Sequence, residues 1–112
     1  MDFSELLDRL KVLPLKENRF SLKNFLEVTF NTGQEPAILE ALTAFFGPPF
    51  KPAGKVMQDD DSFDFIGKFG GIRLKQTLFF KKEGEITYYA MLWPWSDQTT
   101  ITLKVEQIKP LF

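Results

Sequence analysis

Asp59-Asp60-Asp61 with Asp64 places four carboxylates within six residues, the densest cluster of chemistry-bearing side chains in the chain. Hard cations such as Ca²⁺ and Mg²⁺ take oxygen ligands, so a divalent-metal site is the chemistry such a run suggests. The spacing argues against it. A calcium loop takes a ligand at its fifth position and a turn glycine at its sixth. Counted from Asp59 the fifth position is Phe63, and counted from Asp60 the sixth is Phe65. A solvated loop that caps the next helix and complements its positive N-terminal dipole explains both position and charge. No metal site and no cofactor are expected.

The 112 residues include no histidine and no cysteine. That excludes Ser-His-Asp triads, Cys-His pairs, imidazole general bases, conventional zinc sites and disulfides. Neither phosphate-binding glycine fingerprint occurs, because Gly67, Gly70 and Gly71 fit neither spacing. Any catalysis would rest on carboxylates, Lys, Tyr or a bound cofactor, so the chain is read as non-catalytic. Gly47-Pro48-Pro49-Phe50-Lys51-Pro52 favours polyproline geometry, but a helix stop followed by a stiff connector explains the same residues.

The elements that position these groups follow from periodicity. Asp2 and Glu5 have capping-box spacing; Phe3, Leu6, Leu7 and Leu10 then repeat as one helical face, and Pro14 ends the helix. From Phe20 to Phe30 the period becomes two, with Phe20, Leu22, Leu26, Val28 and Phe30 on one face, interrupted by Asn24. One long half-buried strand is expected. After Asn31-Thr32-Gly33, either a Thr32/Glu35 capping box or Pro36 opens a second helix. Its buried stripe is Ile38, Leu39, Leu42, Phe45 and Phe46, and Gly47-Pro48-Pro49 stops it. A short third helix is expected from Ser62 to Phe69. Ile72–Lys82, Glu85–Trp93 and Thr100–Ile108 read as three strands of a meander. The fold class is α+β: a four-stranded, mainly antiparallel sheet, made of the long first strand and the C-terminal meander, packed against two helices and a short third. One domain, 1–112, is expected.

The Phe46-Gly47-Pro48-Pro49 turn and, in the sheet, Thr87-Tyr88-Tyr89 resemble the BamE/BLIP-like family over about half the chain. In that family two helices lead through an L-G-x-P turn into a three-stranded sheet. The family's lipoprotein cysteine is missing here and a long strand precedes the helix. No functional residue is carried over.

With Glu83-Gly84 as the turn, Leu78, Phe80, Tyr89, Met91 and Trp93 share one face, which is expected to take the helices. Leu74, Leu78, Trp93, Leu42 and Phe45 should then form the core. The opposite face carries Phe79, Tyr88, Ile86 and Leu92 among Arg73, Lys75 and Lys81, too apolar for a face open to water. The amino-terminal helix or the Pro48–Asp61 connection could cover it, a partner could, or it could stack nucleic-acid bases. The last lacks the RRM motif and the basic charge it needs. Ile101, Leu103 and Val105 are expected in the core, on the Leu78 side.

Thirteen phenylalanines can fill a compact core, and a net charge of −1 provides no field to gather nucleic acid or anionic lipid. No apolar run approaches the ~20 residues of a membrane span, and the acidic start is no secretory signal, so a cytoplasmic protein is expected. The functional expectation is a non-catalytic interaction or self-association module, most simply a homodimer. Its contact residues would be Phe79, Tyr88, Ile86, Leu92, Arg73 and Lys75. The alternative is a small-molecule-binding domain or small enzyme with a pocket between sheet and helices, using Tyr88 or Tyr89 with Asp64 and Arg73. For the acidic run, calcium titration followed by calorimetry should show no saturable micromolar binding. Saturable binding that is lost in Asp61→Ala would contradict the capping reading.

Overall fold

The computed structural model describes residues 1–50 and 76–109. The Asp59–Asp61 run with Asp64, the expected Ser62–Phe69 helix, and Arg73, Leu74 and Lys75 lie outside the described residues. Helix α1 (Phe3–Lys11) begins as its capping residues require, with Asp2 Oδ1 accepting the Glu5 amide at 2.8 Å. Its stripe Phe3, Leu6, Leu7 and Leu10 is buried. Helix α2 (Glu35–Phe46) is entered through a 3-10 turn, Thr32–Gln34. Asn31 caps that turn, its Oδ1 accepting the Gly33 amide at 2.9 Å. No side chain caps α2 itself, so the Thr32/Glu35 box does not form. Pro36 instead occupies the first turn, where its missing N–H removes no helical bond. Gly47, at φ 82°, ends the helix in a conformation that penalises side chains with a Cβ.

Among the described residues the sheet has five strands, not four. They are β1 (Glu17–Leu22), β2 (Phe25–Asn31), β3 (Thr77–Glu83), β4 (Ile86–Pro94) and β5 (Thr100–Ile108). They lie in the order β1-β2-β5-β4-β3, antiparallel throughout. The expected long strand breaks at Lys23-Asn24, which close a two-residue loop on the Leu22–Phe25 pair. That break inverts the facing. Pairing Leu22 with Phe25 puts Phe20 and Leu22 of β1 on the same side as odd-numbered residues of β2. Leu26, Val28 and Phe30 therefore enter the core, while Phe20 and Leu22 leave it.

The meander forms three strands in the expected places, except that the first begins at Thr77 among the described residues, and the register is shifted. Its loop is Gly84-Glu85, closed by Glu83 and Ile86. Gly84 sits at φ 61° in the first loop position, where a type II′ turn takes glycine. The shift moves each pairing by an even number of residues, so the grouping of side chains by face survives.

Which face takes the helices is the reverse of the expectation. Phe79, Tyr88, Ala90 and Leu92 join Leu26, Val28, Phe30, Ile101, Leu103 and Val105 beneath α1 and α2. Ile101, Leu103 and Val105 thus belong to the core, on the Phe79 side rather than the Leu78 side. Leu78, Tyr89 and Met91 form a second, smaller cluster with Phe80, Trp93 and Ile108 on the other face. Leu42 and Phe45 consequently pack away from Leu78 and Trp93, and the core expected from those four residues is corrected. The helix side is welded by ring contacts: Phe3 and Phe45 lie 5.5 and 5.2 Å from Tyr88, and Phe46 lies 5.7 Å from Phe79. Each such pair contributes about 0.5–1.5 kcal/mol beyond its buried area.

Lys81 fastens the end of α2 to β3. Its Nζ lies 4.0 Å from the Phe45 ring centroid, donates to the Phe45 carbonyl at 3.1 Å and pairs with Glu83 at 2.7 Å. A cation there complements the negative C-terminal end of the helix dipole. Lys81→Met, which keeps the apolar stem, should cost about 1–2 kcal/mol in urea denaturation. Phe79→Ala should cost about 3–5 kcal/mol, and Ser21→Ala on the outer strand about 0.5 or less. Equal losses at Phe79 and Ser21 would mean that Phe79 does not lie in the packed core.

Candidate functional site

The residues expected to meet a partner are mostly enclosed by the chain's own helices. Phe79, Tyr88 and Leu92 are buried, and Ile86 is half-buried against the same cluster. Arg73 and Lys75 lie outside the described residues. Of the three covers considered for that face, the intramolecular one is found, and helices α1 and α2 supply it. The two tyrosines of the alternative reading do not converge, because adjacent residues of a strand point to opposite faces. Tyr88 OH accepts from Gln107 Nε2 at 3.3 Å on the helix side. Tyr89 OH donates to Glu106 Oε1 at 2.9 Å on the other. Burial, and then the neighbouring Glu106 carboxylate, push the Tyr89 hydroxyl far above its ordinary pKa. It stays protonated and serves as a structural donor.

Exposure is concentrated at the edge of the sheet. All six residues of β1 are exposed, and among the described residues β1 has a neighbour only in β2. Phe20 and Leu22 are 52% and 51% exposed, on the face away from the helices. Phe25 is half-buried beside them, its ring 5.6 Å from Phe20 in an edge-on arrangement. A bulge between Asn18 and Phe20 leaves Arg19 as the extra residue. It turns Arg19 onto the Phe20 face, where the guanidinium lies 3.7 Å from Glu17, 3.9 Å from Glu27 and 5.6 Å from the Trp95 ring centroid. Glu27 also pairs with Lys104 at 3.7 Å. A charged belt thus separates the apolar tip from the Leu78–Tyr89–Met91 cluster.

Two concavities lie toward the ends of the neighbouring strands β2 and β5. At the tip, Lys23, Asn24, Gln107 and Lys109 line a notch of about 310 Å³. Neither lysine has an ion-pair partner among the described residues. At the opposite end, Thr32, Pro94, Trp95, Ser96 and Gln98 line a hollow of about 620 Å³. Trp95 is held there by its Nε1 donating to Thr102 Oγ1 at 2.6 Å. The Asp97 carboxylate clamps the loop, accepting from the amides of Thr99 and Thr100 at 2.9 and 3.0 Å. The Thr99 amide, first among these contacts, holds the carboxyl below its usual pKa. Gln98 adopts φ 62° in that loop. Among the described residues no charged side chain lines the hollow and no three His, Cys, Asp or Glu gather as a metal site. No helix among the described residues is long and apolar enough to cross a membrane.

Phe20, Leu22 and Phe25 were not legible as a surface. Period-two counting carried across Asn24 assigns Phe20 and Leu22 to the buried side. Asn24 was the available signal, since Lys and Asn are poor strand formers and Asn favours turns. Set beside protein-family models, characterised proteins and solved structures, the chain matches none, and the BamE/BLIP-like resemblance is without support.

Proposed function

We propose that this chain is a non-catalytic protein-interaction module that meets its partner at the outer strand β1 and the apolar tip Phe20, Leu22 and Phe25. The observation that carries the reading is the exposure of two large apolar side chains, Phe20 at 52% and Leu22 at 51%, on an edge strand with all six residues open. Isolated surface apolars need no explanation, but a cluster of aromatic and aliphatic groups on an open edge is the composition of an association site. The chemistry around it supports binding over catalysis. Arg19, Glu27 and Lys104 are committed to one another, and the Tyr89 proton is committed to Glu106. None is left as an acid, base or nucleophile beside a substrate-sized cavity.

The double variant Phe20→Glu/Leu22→Glu tests the reading, because both side chains already meet water and the core is untouched. Circular dichroism should find it folded. The wild-type chain, used as bait or measured by light scattering, should retain a protein at near-stoichiometric level or its own second copy, and the double variant should retain neither. Association that survives the double variant would contradict the proposal, as would a wild-type monomer that retains nothing.

A further inference from the structure

Resting on that reading, we infer that the occupant of the edge is an extended, acidic–apolar segment of another protein, added to β1 as a sixth strand. The backbone argument comes from the hairpin. Its two-residue loop closes on Leu22 and Phe25, so Leu22 and Phe20 direct their amides and carbonyls toward β2. Ser21, between them, directs its N–H and C=O to the outer edge, which no other described strand pairs. An added strand satisfies those groups and sets every second side chain over the face that carries Phe20, Leu22 and Phe25.

Charge selects the sequence of that strand. The notch at the tip holds Lys23 and Lys109, both without an ion-pair partner among the described residues. The Arg19 charge is answered internally by Glu17 and Glu27. A strand that alternates apolar with acidic residues complements the tip on both counts. A second copy of β1 does not. Paired two-fold about Ser21, it sets Arg19 against Lys23 at both ends. Paired nearer Glu17, it brings the Arg19 bulge of each strand into the other, and bulged edges resist such pairing.

The test titrates the full chain into a fluorescein-labelled peptide of about ten residues alternating valine with glutamate, a length typical of a single strand. A counterpart alternating valine with lysine serves as the control, and anisotropy is the readout. The acidic peptide should saturate, and the lysine peptide should bind about tenfold more weakly or not at all. Ser21→Pro removes the outward donor at a position where an edge strand accommodates proline, and should abolish binding while the chain stays folded. Lys23→Glu/Lys109→Glu, which leaves the backbone alone, should reverse the preference between peptides. The inference is overturned by an acidic peptide that fails to saturate or by binding unchanged in Ser21→Pro. It is equally overturned by a wild-type dimer that Ser21→Pro disperses, since a second copy then holds the edge. That last result leaves the interaction reading standing, which fails if association survives Phe20→Glu/Leu22→Glu or if the wild-type chain is a monomer that retains nothing.

Discussion

In an antiparallel hairpin, side chains directly opposite each other share a face, so the residue pair that closes a loop decides the facing of both strands. In this protein the closing pair Leu22–Phe25 carries that decision for the first hairpin. With Phe25 opposite Leu22, the even-numbered residues of β2 turn toward the helices, and Phe20 and Leu22 of β1 turn away. Leu26, Val28 and Phe30 can then meet α1 and α2, while Phe20 and Leu22 are left on the outside of the sheet. A loop one residue longer would exchange the two sets. The core and the exposed tip are two consequences of one turn.

The last strand joins the halves of the molecule. β5 lies between β2 and β4, so Leu103 stands beside Val28 on one side and Leu92 on the other. That row of aliphatic side chains is the floor on which α1 and α2 rest, and the Phe3–Phe45–Tyr88 ring cluster closes it at one end. Arg9 and Glu40, 3.3 Å apart at the surface, add little to the helix pair. Lys81 adds more, because its cation meets the Phe45 ring and the Phe45 carbonyl near the end of α2 together. The rigid side of the sheet is therefore the helix side, and β1 is the strand farthest from the β3–β4 hairpin that Lys81 clamps.

Much of this was readable from residue order, and the errors have physical causes. Both helices were legible because apolar residues recur at helical spacing between an Asp2 cap and Pro14, and between Pro36 and Gly47. The meander strands were legible for the same reason at period two. The Lys23-Asn24 turn was not, because the usual two-residue hairpin loops need positive φ and advertise it with glycine, whereas neither Lys23 nor Asn24 has positive φ. The choice of helix face was illegible for a different reason. In β3 and β4 both faces are apolar, Leu78, Tyr89 and Met91 on one and Phe79, Tyr88 and Leu92 on the other, and all six are buried. Alternation groups such residues but does not say which group the helices take.

The division of the sheet into a helix-covered face and an exposed β1 tip is the point on which the functional reading depends. Solvent paramagnetic relaxation, with a neutral gadolinium chelate added to the isotopically labelled chain, reads it directly. The Phe20 ring and Leu22 methyls should relax strongly, while the Phe79 and Tyr88 rings and the Leu92 and Leu103 methyls are spared. Phe79 and Leu92 relaxing as strongly as Phe20 would contradict the account, because the helices would then cover a different face and the tip would hold no special place.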